Sequence, residues 1–355
     1  MLTRCVPHAI LCPAIYGESG CSISSESGVT LDPQTLHRSA IVFDGHCDTL
    51  LSVLEERRPL IERSDKGHGD LPRFKAGGVT AQIFAHFAKP AALGGTAPTW
   101  QALRLLDVFC EALERSPELI LATRAADVRR AKAEGRLAGV IGLEGAEALR
   151  GDLAILRMLY RMGLRNLGLT WSLRNEAGDG VAEARTGGGL TEFGVQVVRE
   201  ANRLGLMLDV AHLAPAGVRD VLALSEAPVI DSHANARALC DHPRNLSDDQ
   251  LEALAAKGGV VGVVFVPAFI APDRQAQTLE RLLDHIDHIV QVAGVDHVGL
   301  GSDFDGFDDT PPAGLEDVTC FPAITAGLLA RGYSEEAVRK ILGGNFLRVF
   351  EQVAG

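Results

Sequence analysis

Positive charge is in short supply: the 355 residues carry 34 Lys and Arg against 46 Asp and Glu, a net charge of −12. Nucleic acid and anionic lipid are bound chiefly through positive surface, so both are excluded as principal partners. Long apolar runs are missing too. None approaches the roughly 18 residues that cross a bilayer, and the N-terminus lacks the order of basic start, apolar stretch and small-residue cleavage site that marks a secretion signal. No membrane partner is expected, and the cytoplasm is the expected compartment. Seven cysteines are an odd number for a disulfide framework, and none falls in a CxxC pair. They read as reduced thiols, with Cys5, Cys12 and Cys21 on an N-terminal arm. GxGxxG, GxxxxGKS or GxxxxGKT, and GxSxG are all absent. This removes the sequence grounds for a dinucleotide fold, a P-loop and a serine nucleophile elbow.

What is present falls into two parts. Residues 1–38 are rich in Ser, Gly and Pro without a sustained period and are expected to form an arm peripheral to the core. Residues 39–355 repeat one pattern: an amphipathic helical stretch, a glycine, then four to seven apolar or β-branched residues. Candidate strands are Ile41 to Gly45, Val79 to Ala85, Leu137 to Leu143, Leu164 to Thr170, Leu206 to Val210, Pro228 to Ser232, Val260 to Phe265 and Val295 to Leu300. Eight strands alternating with helices imply parallel pairing, and the simplest closed solution is a single (β/α)8 barrel of the TIM type. Connections entering strands are short. Those leaving strands (86–100, 172–190, 303–320) are long and rich in Gly or Pro, so irregular chain collects at the C-terminal face, where barrel active sites are built.

Ligand-type residues end these strands. His46 and Asp48 are i and i+2 on an extended chain and share a face, while Cys47 points away. Glu144 closes an apolar strand, where a lone carboxylate is costly unless paired or metal-bound. His212 and His233 each end a strand. Taken singly, each of these is as well explained as a core histidine or a helix-capping acid. Five N and O donors at one barrel mouth make a metal site, and two carboxylate oxygens let Glu144 bridge two cations. The set has no thiolate and suits two zinc ions, with manganese, cobalt or iron as other occupants. Metals about 3.5–4 Å apart lower the pKa of a shared water and polarise a carbonyl, giving a metal-bridging hydroxide as nucleophile. Asp303, at the end of the last strand, is the candidate proton carrier. The surrounding cluster of Asp303, Asp305, Asp308 and Asp309 does not have calcium-loop spacing, because Gly306 sits at the fourth position rather than the sixth.

These segments resemble the membrane dipeptidase (renal dipeptidase) family, peptidase family M19 of the amidohydrolase-like superfamily. The resemblance is carried by Asp44-Gly45-His46-Cys47-Asp48, Ile141-Gly142-Leu143-Glu144-Gly145, Leu208-Asp209-Val210-Ala211-His212, Asp231-Ser232-His233-Ala234, Pro243-Arg244-Asn245-Leu246 and His297 to Gly306. It continues through Gly314 to Val318 and Asn345 to Phe350, so it spans nearly everything after the arm. It implies that His46 and Asp48 bind one zinc, His212 and His233 the other, with Glu144 bridging and Asp303 as proton shuttle. It implies that Arg244 pairs with the free C-terminal carboxylate of a dipeptide, a role suited to the planar guanidinium fork. It implies dipeptide hydrolysis with a D-residue tolerated at the C-terminal position (L-Xaa-D-Xaa). Trp171 stands where the animal enzymes carry a substrate-steadying histidine; indole can donate one hydrogen bond but cannot become cationic.

Two other readings stay open. One is another binuclear hydrolase, acting on a β-lactam, a different amide, a lactone or a phosphoester. The other is a metal-stabilised binding protein without turnover. A homodimer is the assembly allowed for. Outside the site, His285 and His288 lie off the apolar face of their helix and are expected in solvent. The pairs Arg57-Arg58 and Arg129-Arg130 read as solvated surface, and the 172–190 segment reads as a lid or side wall.

Overall fold

The computed structural model describes residues 32–90, 94, 95 and 97–355. Among the described residues nine parallel strands are present: β1 Phe43–Cys47, β2 Ala81–Phe87, β3 Leu119–Leu121, β4 Leu137–Glu144, β5 Leu164–Gly168, β6 Met207–Asp209, β7 Ile230–Asp231, β8 Val260–Val263 and β9 Val298–Leu300. Neighbours run β2-β1-β9-β8-β7-β6-β5-β4, and a continuous register from Ala81↔Ala138 to Phe87↔Glu144 joins β2 to β4. Those eight strands close the expected TIM-type barrel. The strand missing from the sequence reading is β3, which pairs with Leu137 to Gly139 at the start of β4, on the edge whose later residues Ile141 to Leu143 pair with β5. It is three residues long and follows no helix-glycine signal. At β9 the extended chain begins only at Val298, because Val295–His297 forms a 3-10 turn.

Of the stretch expected as an arm, only the residues from 32 onward are described. Residues 1–31 lie outside the described residues, and 33–39 form the helix Pro33–Ser39, capped by Asp32 at the Gln34 and Thr35 amides, both at 3.1 Å. Its Leu36 is fully buried, and His37 bridges the Thr325 hydroxyl (2.7 Å) and the Gly77 carbonyl (2.8 Å). This stretch therefore belongs to the core. His285 is also buried, contrary to expectation. Its Nδ1 accepts from the Ala236 amide (3.2 Å) and its Nε2 donates to the Ile270 carbonyl (2.9 Å), while burial pushes its pKa down to about 4. Helical angle places a side chain relative to its own helix only, and the short helix Pro267–Ile270 brings Ile270 over this one. His288 is half-buried against Asp248.

Packing below the site is set by small residues. The ring of Phe346, from the C-terminal helix Asn345–Ala354, occupies the space that side chains at Gly45 and Gly299 would fill. It stands 5.6 Å from Phe43, which also meets Phe350 edge-on at 6.3 Å. Above it, the Ser232 carbonyl is enclosed by Gly45, Gly262 and Gly301, so that β7 is held against its neighbours by backbone contact. His233 is the next residue. Because backbone cannot retreat as a flexible side chain can, Gly301→Ala is expected to destabilise the fold by about 2–3 kcal/mol. Urea unfolding of the variant measures this, and an unchanged midpoint would contradict the packing described.

Candidate metal centre and active site

The C-terminal ends of five strands deliver the predicted donors to one buried point. His46 Nε2, at the end of β1, lies 3.4 Å from Asp48 Oδ2, 3.6 Å from Glu144 Oε2 and 3.8 Å from Asp303 Oδ1. His212 Nε2 lies 3.1 Å from Glu144 Oε1 and 2.9 Å from His233 Nε2, and the His46 and His233 rings are 3.9 Å apart. Three donor sets have their ligand atoms within 4.8 Å of one another: His46, Asp48 and Glu144; Glu144, His212 and His233; His46, His233 and Asp303. Glu144 is common to the first two sets, with one oxygen toward each. His46 Nε2 is buried and has no hydrogen-bond partner. Two imidazole nitrogens facing each other, an unpartnered third and three crowded carboxylates are arranged as a cation would require, so the residues fit a divalent metal pair.

Local backbone supports the arrangement. Among the described residues, five other than glycine adopt positive φ, and three of them, His212, Asp303 and Asp305, are at this site. Such conformations persist where the surroundings hold them. The His212 carbonyl accepts from the Val181 amide (2.7 Å), and the Asp303 amide donates to the His46 carbonyl (3.0 Å). Asp305 accepts from the Arg58 guanidinium (2.9 Å), the Thr49 hydroxyl (2.6 Å) and the His68 amide (2.6 Å). Arg58 is thus a buried brace rather than solvated surface, because the chain after it folds back and its guanidinium also meets the Gly69 carbonyl (2.6 Å). Arg129 is exposed and pairs with Glu351, in keeping with its reading.

A second layer escaped the sequence reading. Asp44 accepts from the Ser302 amide (2.7 Å) and hydroxyl (2.6 Å), joining β1 to the Asp303 turn. Asp209 accepts from the Ser232 and Ala211 amides, at 3.0 and 3.1 Å. Ser172 and Ser232 hydroxyls meet Nδ1 of His212 (2.8 Å) and His233 (2.7 Å), leaving each Nε2 toward the centre. The available signal was position, since Asp44 and Asp231 precede a donor histidine by two residues and Asp209 by three.

Burial opposes every charge here, and neighbours decide which survive. Against that cost, His46 and His212 hold Glu144 ionised, far below the ordinary glutamate value, while Glu144 and Asp48 hold the His46 pKa well above its own. That proton occupies a place a cation would take over. Burial and the nearby Arg244 lower His212 to about 4, and burial with His46 and Arg244 takes His233 well below the ordinary imidazole value. Both imidazoles are neutral, the state that ligates. Burial, with Asp48 and Glu144 beside it, raises Asp303 well above an ordinary aspartate, so its carboxyl can hold a proton.

Above the donors opens a cavity of about 500 Å3, lined by Asp48, Glu144, Asp303, Trp171, His212 and Arg244 among others. Arg244 is buried and donates to the His233 carbonyl (3.0 Å), but its Nε has no partner. Trp171 stacks 5.7 Å from His212 and meets Phe87 at a tilt, 5.8 Å away. Trp171 and Ser172 make the 172–190 segment a side wall, tied by the Arg174–Asp179 ion pair and the Thr186 hydroxyl on Asp179 (2.6 Å).

Comparison with known proteins agrees with this geometry. A sequence model of membrane dipeptidases, peptidase family M19, matches residues 32–355. A metallopeptidase from Rhodobacter sphaeroides, solved with a phosphinate mimic of the dipeptide L-Ala-D-Ala, is 35% identical, covers 88% of this chain and 99% of its own, and superposes with a TM-score of 0.81. Dipeptidase AC, a metallopeptidase of family M19, is 36% identical over 89% of this chain and 99% of its own, with a TM-score of 0.81. The probable dipeptidase PvdM from Pseudomonas aeruginosa is 26% identical over 91% and 97%, with a TM-score of 0.82.

Two buried acids near the centre, Asp231 and Glu147, accept no hydrogen bond among the described residues. Glu147, on the 3-10 turn Ala146–Leu149, is 5% exposed, and neither carboxylate oxygen accepts a hydrogen bond. Burial, reinforced by Glu176 and Glu144, pushes it from its ordinary 4.5 up to about 7. A folded pKa above the unfolded one means the folded state loses stability as pH climbs between those values, reaching the full cost above the higher one. Glu147→Gln removes the cost. Relative to the parent, the variant should gain about 2–3 kcal/mol more at pH 8 than at pH 5. Chemical unfolding at both pH values checks this; an equal difference at the two would mean Glu147 is not held protonated.

Proposed function

We propose a reaction from one premise, that this chain belongs to the membrane dipeptidase family, peptidase family M19, and is a metal-dependent dipeptidase. Its substrates are dipeptides with a free C-terminal carboxylate, with a D-residue accepted at that end. The observation carrying this is Arg244: a buried guanidinium with an unpartnered Nε on the wall of the cavity that holds the donor cluster. A buried cation without a carboxylate is costly, and a substrate carboxylate would supply the missing partner in a planar fork. The L-Ala-D-Ala mimic bound by the Rhodobacter sphaeroides enzyme supports the same substrate class.

His46 and Asp48 would hold one zinc ion and His212 and His233 the other, with Glu144 shared. Bound there, the ions supply Lewis-acid polarisation of the scissile carbonyl and a lowered pKa for water. The protein's own part is positional and protonic. Arg244 fixes the carboxylate end, so the amide lies over the donors. Asp303 accepts a proton from the attacking water on a carboxylate oxygen, then gives it to the departing amine nitrogen. Trp171 offers one N–H and a flat wall. It contributes shape rather than charge.

We place the protein in the cytoplasm on its cysteine usage, since Cys47, Cys110, Cys240 and Cys320 are free thiols, as a reducing compartment keeps them. Among the described residues no helix is long and apolar enough to cross a membrane.

Arg244→Ala should raise KM for L-Ala-D-Ala about 10–100-fold, the loss of charge-assisted hydrogen bonds. The same change should alter hydrolysis of a C-terminally amidated analogue little. Steady-state kinetics on the two substrates decide, and an equal loss on both would refute carboxylate pairing. Asp303→Asn should lower kcat by about 10²–10⁴. Elemental analysis should find its metal content unchanged; undiminished turnover would remove its assigned role.

A further inference from the structure

Charge around the cavity mouth is sorted by strand. Loops after the adjacent strands β9 and β1 contribute acids, namely Asp308 and, on the helix Thr49–Glu56, Glu55 and Glu56. The loop after β7 contributes the buried cation Arg244, while the end of β2 and the loop after β5 contribute Phe87 and Trp171. Asp305, beside the acids, is already engaged by Arg58, and Glu56 accepts from Ser52 (3.2 Å). Glu55 and Asp308 are exposed and enter no ion pair among the described residues. The unpartnered Nε of Arg244 shows that this polarised cavity is built for a charged ligand at one end.

We propose that this chain selects dipeptides whose N-terminal residue bears a cationic side chain, arginine or lysine, received by Glu55, Glu56 and Asp308. The inference rests on the dipeptidase reading above. With the substrate carboxylate on Arg244 and the amide over the donor cluster, the N-terminal residue extends away from β7 to the far side of the mouth, where β1 and β2 lie, and the acids on the helix after β1 stand there. Its α-ammonium stays within two bonds of the scissile carbonyl, near the buried Asp48 and Asp303. The rim acids are exposed and stand farther out, at the reach of a long side chain. Leu51 and Phe307 line the same sector and offer apolar surface to such a stem. Between Phe87 and Trp171 the cavity wall offers only Glu144, which belongs to the donor cluster, and so gives a cation no comparable free partner.

The test compares kcat/KM of the metal-loaded full chain for L-Arg-D-Ala, L-Lys-D-Ala, L-Leu-D-Ala, L-Glu-D-Ala and L-Ala-D-Ala. The basic substrates should exceed L-Leu-D-Ala about tenfold, the scale of a few partly exposed carboxylates acting on one cation, and L-Glu-D-Ala should be poorest. Raising ionic strength should shrink the preference. In the double variant Glu55→Gln, Asp308→Asn, with circular dichroism confirming the fold, the Arg-to-Leu ratio should fall toward one. A parent ratio near one, or a ratio unmoved in the double variant, overturns this inference while leaving the dipeptidase reading standing. Failure to hydrolyse any of the five overturns that reading as well.

Discussion

Everything at the catalytic end of the barrel is organised around one electrostatic conflict. Asp48, Glu144 and Asp303 converge on the His46 nitrogen, in a place where burial penalises each charge and each carboxylate penalises the others. Protein groups alone resolve this poorly: a proton on His46, another on Asp303, and two neutral imidazoles turned toward each other. A metal cation would relieve it, and the donors already have the outline of a ligand shell. Buried carboxylates are retained in proteins when something pairs with them, and here the pairing partner comes from outside the chain.

The cost of holding such a cluster is met by rigid surroundings. Hydrogen bonds from Ser302 fix Asp44 below His46, and those from Ser232 and Ala211 fix Asp209 beneath the two histidines. The Arg58–Asp305 pair pins the turn on which Asp303 takes its left-handed backbone. A carboxyl held in place by a neighbouring turn keeps its distance from the donors whether or not it carries a proton, as a proton carrier must. The wall carrying Arg244 is anchored to the same framework through the His233 carbonyl.

Much of this was legible in the chain, for reasons that also mark where legibility ended. Apolar runs, five of them entered through a glycine, gave seven strands and an approximate eighth at β9, because helix ends and strand starts leave local marks. The donors were readable because period-two alternation puts His46 and Asp48 on one face and because Glu144, His212 and His233 each terminate a run. Groups defined by distant partners were not readable. Arg58 looked like surface until the chain after it folded back, and His285 looked exposed because its covering comes from residue 270, fifteen positions away. Asp44 and Asp209 were visible as letters within motifs, but their partners Ser302 and Ser232 lie on other strands. The three-residue β3 has too little sequence to carry a period.

Closure of the barrel floor by Phe346 has a temporal meaning. The first strand and the last pair directly, and the ring that fills the space beneath Gly45 and Gly299 lies in the helix Asn345–Ala354. A chain emerging from the ribosome has His46 and Asp48 early, but cannot seat them until about three hundred further residues have been made. Nascent chains therefore present apolar strands with no stable core during most of their synthesis. Metal capture is deferred to the end of translation, when the donors first share a rigid frame.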